Sequence, residues 1–152
     1  KIEAALEVRS SREFIIIART DSLAVTGIEE AVERGKAYRD AGADVVFIEA
    51  PRSLEELSFI RKAIRDVPLV ANIIEGGKTP YLSARALKEM GYEIMFCGLT
   101  AVLVIAKAFM DAMTHLKREG SSQGWLERMY TFSEFNELIG IKEFSLLEKK
   151  FQ

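Results

Sequence analysis

Residues 14–50, "FIIIARTDSLAVTGIEEAVERGKAYRDAGADVVFIEA", decide the fold. The stretch opens with Phe14–Ala18, a continuous apolar run without alternation, as expected of a strand covered on both faces. Ile28, Ala31, Val32 and Tyr38 then fall near helical spacing. Thr26-x-x-Glu29 reads as the capping box that starts this helix and Gly42 as its stop. Val45–Glu49 is a second apolar run. A strand, a helix and another strand imply parallel pairing through a right-handed crossover. The strand C-terminal ends, and the loops that follow them, then share one face.

The same unit recurs further along the chain. Ser53-x-x-Glu56 is a second capping box, followed by Leu57, Ile60 and Ile64 on one helical face. Pro68 precedes the apolar "LVANI", Ser83–Met90 reads as a helix with Leu87 and Met90 inward and Gly91 as its stop, and "EIMFCGL" gives a fourth strand. The units repeat at roughly 25–30 residues, the repeat of a (β/α)8 TIM barrel of about 250 residues. The fold class is therefore α/β, with four of the eight units such a barrel needs, followed by extra C-terminal helices and with no boundary visible over 1–152. Upstream, "KIEAALEVRSS" reads as a helix already under way, with Ile2, Ala5, Leu6 and Arg9 on one side. Because it starts at Lys1, the chain is expected to be cut at its front.

Composition narrows the function classes. The 152 residues are 49% hydrophobic and carry a formal charge of -2 with both signs interspersed. No basic stripe is present to attract a phosphate backbone, so nucleic acid is not an expected partner. Cys97 is the single cysteine, which rules out an intrachain disulfide, a zinc ribbon and a CxxC pair and points to a cytoplasmic protein. Its expected place is the core. Between Leu99 and Met113 the apolar run is broken by Lys107 and Asp111 and is too short to span a membrane.

"TAVLVIAKAFMDAMTHLKREG" reads as a helix that is apolar nearly all round in its first turns, at Val102, Leu103, Val104, Ile105 and Phe109. Such a helix needs a cover. Two covers remain open: the tail from Trp125 to Phe151, or another subunit. Met110 and Met113 are expected to pack, and His115 alone makes neither a metal site nor a triad. In the tail, Ser133 is the expected cap of a short helix carrying Phe135, Leu138 and Ile139.

The candidate chemistry lies just past the strands. Arg19 and Asp21 follow the first strand, Glu49 closes the second, Asn72 lies in the third and Thr100 follows the fourth. In a β/α barrel these positions form the mouth. Arg, Glu and Asn meeting there suit a small anionic, oxygen-rich substrate, since a guanidinium grips a carboxylate with two parallel hydrogen bonds. The alternative is that Arg19 and Glu49 only neutralise each other. "EGGKTP", Glu75–Pro80, fails as a phosphate loop because Asn72 stands where glycine is required; it reads as a tight turn. GxGxxG is absent, and no acidic cluster supplies metal ligands.

"ARTDSLAVTGIEEAVERGKAYRDAGADVVFIEAP" (18–51) and "VANIIEGGKTP" (70–80) resemble the later half of the isocitrate lyase and phosphoenolpyruvate mutase superfamily. The likeness runs from Lys1 through Phe151 and is nearest to methylisocitrate lyases, dimethylmalate lyases and carboxyphosphonoenolpyruvate phosphonomutases. It implies the later half of a TIM barrel and a homotetramer whose last helix is exchanged between subunits. It also implies cleavage or formation of a C–C or P–C bond through an enolate-like intermediate with Mg²⁺. By the same resemblance Arg19 holds a substrate carboxylate, Glu49 belongs to the pocket and Asn72 hydrogen-bonds the substrate. Two departures matter: Ile74 stands where methylisocitrate lyases have threonine, and Leu103 where they have a substrate-gripping arginine. The expected activity is that of a Mg²⁺-dependent carbon–carbon lyase acting on a 2-hydroxy di- or tricarboxylate of the 2-methylisocitrate or dimethylmalate type, with these departures favouring a smaller dicarboxylate such as a substituted malate. The superfamily's cysteine loop and metal-binding aspartates belong to the earlier half, so no catalytic residue and no Mg²⁺ ligand is assigned here, and the segment alone is expected to be inactive. A phosphonomutase and a non-catalytic, self-associating half-barrel are the alternatives.

Overall fold

The computed structural model describes residues 1–151. The chain divides into two compact units, 1–101 and 102 onward.

In the first unit, α1 (Ile2–Val8) precedes β1 (Ile17–Thr20), α2 (Leu23–Thr26) and α3 (Ile28–Asp40). Then come β2 (Val45–Ile48), α4 (Leu54–Ala63), β3 (Val70–Asn72), α5 (Ala84–Glu89) and β4 (Ile94–Phe96). β1 pairs with β2 and β3 with β4, all parallel, with Arg19 opposite Phe47 and Asn72 opposite Phe96. A single parallel bridge, Val46 to Leu69, joins the two pairs, and the Val46 N–H donates to the Pro68 carbonyl at 3.0 Å. The strands thus lie in the order β1-β2-β3-β4, each followed by a helix.

Strand alternation gives this array two unlike faces. On one, Val46, Ile48, Leu69, Ala71 and Ile73 join Ala31 and Val32 of α3, Leu57 and Ile60 of α4, Ile64, Leu87 and Tyr92 in the main core. Each large aliphatic side chain buried there contributes about 1.5–3 kcal/mol of transfer free energy. Gly35 lets α3 approach, because a Cβ at that position would lie 2.4 Å from Ile64 Cδ1. Tyr92 donates its hydroxyl to the Leu57 carbonyl at 3.1 Å, so its one polar group is satisfied inside the core. The other face has a smaller buried cluster of Val45, Phe47 and Val70, with Ile94 packed against them.

Several local expectations are corrected. β1 starts at Ile17, not Phe14; Phe14, Ile15 and Ile17 are exposed and only Ala18 and Thr20 are buried. The apolar run marks an edge strand covered on one face. Thr26 does not cap α3. It ends α2, its hydroxyl donates to the Ser22 carbonyl at 3.0 Å, and Gly27 at φ 92° starts α3. By contrast, Ser53 and Ser83 accept from Glu56 N and Ala86 N and cap α4 and α5. Ala5 is exposed, while Ile2, Leu6 and Arg9 are half-buried, with Arg9 paired to Asp44 at 2.6 Å.

The second unit contains most of α6 (Thr100–Glu119), a 3-10 turn (Gln123–Arg128), α7 (Phe132–Leu138) and α8 (Ile141–Lys150). None of these elements buries a residue. Trp125 of the 3-10 turn lies beside His115 of α6, ring centroids 5.6 Å apart, with the Arg128 guanidinium over its ring at 4.7 Å. The tail does not cover the apolar turns of α6: Val102, Leu103, Val104, Ile105 and Phe109 are exposed, as are Met110 and Met113. Thr131, not Ser133, caps α7, exchanging hydrogen bonds with Glu134 in a capping box. Among the described residues no helix is long and apolar enough to cross a membrane.

Candidate carboxylate-binding rim

Alternation along the strands places Arg19 of β1, Phe47 of β2 and Asn72 of β3 on the sparsely covered face, near the strand C-terminal ends. Glu49 follows Phe47 by two residues and returns to that face. Its position is enforced by the next residue, Ala50, which adopts the left-handed region at φ 56° and turns the chain into Pro51. A non-glycine residue held there costs of order 1 kcal/mol and persists only where its surroundings demand it.

The three residues read from the sequence come together. Arg19 Nη2 lies 3.5 Å from Glu49 Oε2, and Asn72 Nδ2 donates to both Glu49 oxygens at 3.4 Å. These contacts are long for hydrogen bonds, so the carboxylate is only loosely held. The guanidinium stacks over the Phe47 ring at 4.9 Å, and the Phe96 ring meets Phe47 edge-on at 5.9 Å. An apolar floor thus orients the cation while its edges stay polar.

Asp21 completes the rim. It takes Arg19 Nε at 3.2 Å and Nη2 at 2.8 Å, one on each oxygen. This bond is the main cause raising the Arg19 pKa above its ordinary value; partial burial opposes it and the Glu49 charge adds to it. A buried hydroxyl pair fixes the Asp21 turn: Thr20 donates to Ser22 Oγ at 2.8 Å, and Ser22 N–H donates back to Thr20 Oγ1 at 3.2 Å. The Arg19 side chain is 46% exposed and that of Glu49 20%. The ion pairs are therefore solvent-screened, worth about 0–1 kcal/mol, and a ligand carboxylate can compete for the fork.

Two carboxylates face one guanidinium here, which leaves one negative charge uncompensated. A dianionic ligand needs further positive charge from outside these residues. The described residues do not supply a metal site, since no three His, Cys, Asp or Glu side chains gather where they could hold an ion.

Other candidates fall away from the rim. Cys97 is exposed rather than in the core; it follows β4, whose last residue, Phe96, is itself exposed. His115 lies on α6 against Trp125. "EGGKTP" forms the tight turn expected of it, with Gly76 at φ 72° and Gly77 N–H donating to the Ile74 carbonyl at 2.9 Å. Sequence reasoning missed the aromatic floor and the buried hydroxyl pair. The signal for the floor was available: Phe47 precedes Glu49 by two residues and so shares its face.

The family model for phosphoenolpyruvate phosphomutase matches residues 1–117. The chain belongs to that family. It is 42% identical over 151 residues to 2,3-dimethylmalate lyase of Eubacterium barkeri, covering 99% of this chain and 52% of the lyase. A crystal structure of 2,3-dimethylmalate lyase, described as a PEP mutase/isocitrate lyase superfamily member, superposes with a TM-score of 0.89 at 35% identity, covering 99% of this chain and 53% of the other. Probable 2-methylisocitrate lyase 1 of Corynebacterium glutamicum is 39% identical over 149 residues, covering 98% and 49%. A phosphonopyruvate hydrolase in complex with oxalate and Mg²⁺ superposes with a TM-score of 0.84 at 28% identity, covering 99% and 54%. The chain spans about half the length of the curated relatives it matches.

Proposed function

We propose that this chain supplies the carboxylate-gripping part of a carbon–carbon lyase that cleaves a 2-hydroxy dicarboxylate of the dimethylmalate type, as the later half of a (β/α)8 barrel. The meeting of Arg19, Glu49 and Asn72 on one strand-end rim carries the reading. Similarity at 42% identity to a 2,3-dimethylmalate lyase supports this class of substrate. Arg19 holds a substrate carboxylate with two parallel bonds, Phe47 keeps its plane fixed, and Asn72 donates to a substrate oxygen.

In such a cleavage the 2-hydroxyl loses its proton and becomes a carbonyl. The C2–C3 electron pair passes to the departing carboxylate fragment as an enolate, and a proton quenches it. A guanidinium already oriented at the rim stabilises negative charge on the carboxylate it holds without reorganising. The proton donor and acceptor are assigned to groups outside this chain. Metal ligands are likewise assigned outside this chain, whose part is to bind and orient.

By the resemblance, Ile74 and Leu103 stand where methylisocitrate lyases have a threonine and a substrate-gripping arginine, and this favours a dicarboxylate over 2-methylisocitrate. The uncovered apolar turns of α6 are assigned to a second copy of the chain, in a homo-oligomer with an exchanged helix. The test is a panel of 2,3-dimethylmalate, 2-methylisocitrate and phosphonopyruvate with Mg²⁺, offered to the chain alone and to the chain combined with the earlier half of 2,3-dimethylmalate lyase. The proposal expects turnover of dimethylmalate by the combination only. Preference for phosphonopyruvate transfers the assignment to P–C chemistry, and turnover by the chain alone contradicts the division of labour.

A further inference from the structure

Glu75, in the loop between β3 and α5, is not part of the rim, yet its two carboxylate oxygens lie in very different surroundings. Oε1 accepts from the Thr100 hydroxyl in the first turn of α6. Oε2 is buried and has no hydrogen-bond partner. An unpartnered buried carboxylate oxygen is costly and calls for a reason.

The reason lies in α6. The residue before it is Leu99, whose side chain carries no acceptor for the unpaired N–H groups of the first turn. Carboxylates are stabilised at that end of a helix by its partial positive charge. Glu75 brings one from a different loop. The Thr100 bond is also the first cause of the lowering of its pKa. Tyr81, in the same loop and largely exposed, faces it; its pKa is raised by partial desolvation, then by the Glu75 charge and by the approach of its hydroxyl to that carboxylate, with Cys97 a smaller contributor.

Two further observations place the segment entering α6 near this loop and the rim. A Cβ at Gly98 would stand 3.5 Å from Ile74 Cδ1 and 4.0 Å from Asn72 Oδ1. The Ile73 N–H donates to the Phe96 carbonyl at 2.8 Å. The segment entering α6 therefore passes close to both the loop and the Asn72 amide. We propose that Glu75 is a positioning residue: by fastening its loop to Thr100 it holds the Gly98 segment beside Asn72 and fixes the direction in which the Asn72 amide points. The importance of that direction rests on the carboxylate-binding reading of the rim; the clasp does not.

The test is NMR of the full chain without ligand, following the Asn72 side-chain NH₂ signals and the exchange of the Ile73 and Gly77 amides. Thr100→Val removes the donor at nearly constant shape, Thr100→Ser restores it, and Glu75→Ala removes the acceptor. Loss of one such bond is expected to speed exchange at Ile73 and Gly77 about fivefold and to shift or broaden the Asn72 NH₂ signals, while the Val46 amide in β2 is unaffected. Thr100→Ser should match the parent chain. Unchanged Asn72 signals in Thr100→Val, or a Thr100→Ser variant as perturbed as Thr100→Val, would overturn the clasp. Should Glu75→Ala fail to fold, the two Thr100 variants decide. Failure of the substrate panel leaves these signals untouched, so the two ideas fail separately.

Discussion

The two units of this chain are built from similar amphipathic pieces and bury them very differently. Among the described residues, every buried hydrophobic one lies between Ala18 and Tyr92, whereas α6, α7 and α8 bury none. Alternation of parallel strand and helix lets the first unit close a core from its own residues. The second unit carries Val102, Ile105, Phe109, Phe132 and Phe144 in the open. An apolar stripe shows that a helix needs a cover, while only the placement of other elements shows whether the chain provides it.

Substitutions can break or sharpen that contrast. Leu57→Ala, at a fully buried position of α4, is expected to lower stability by about 2–5 kcal/mol, read by urea unfolding followed through the first unit's amides. Gly35→Ala is expected to cost about 1–3 kcal/mol by overpacking against Ile64; a neutral result would mean that α3 shifts freely. Ser53→Ala should cost about 1 kcal/mol through loss of the α4 cap. At the small end, Phe109→Ala on exposed α6 is expected to stay within about 0.5 kcal/mol for a lone chain, yet to lower self-association in sedimentation. A core-sized stability loss in the isolated chain would erase the contrast between the units.

The clasp adds a pH term. The Glu75 carboxyl is held below its ordinary value by Thr100, so its stabilising contribution is full above the unfolded-state value and is lost as pH falls through the folded one. Thr100→Val should flatten this part of the acid-unfolding curve. An identical acid limb in parent and variant would show that the bond does not couple to folding.

Much of this organisation is legible in the sequence, and the failures have physical causes. Strand-helix alternation, the cap at Ser53 and the gathering of Arg19, Glu49 and Asn72 follow from local chemistry and from strand-end position. Phe14–Ala18 misled because a continuous apolar run does not reveal whether a strand has a neighbour on each side. Thr26 misled because its hydroxyl found the Ser22 carbonyl of its own turn before the next helix began. Glu75 and Thr100 are 25 residues apart, and no periodicity links a loop carboxylate to a distant helix start. Asp21 was visible, but its grip on Arg19 depends on a turn fixed by two buried hydroxyls.

A structure of the chain combined with the earlier half of 2,3-dimethylmalate lyase, with oxalate and Mg²⁺, tests the central assignment most directly. The account predicts an oxalate carboxylate within hydrogen-bond distance of the Arg19 guanidinium, above Phe47 and beside Asn72. Oxalate bound elsewhere, with Arg19 still engaged only by Asp21 and Glu49, would contradict it.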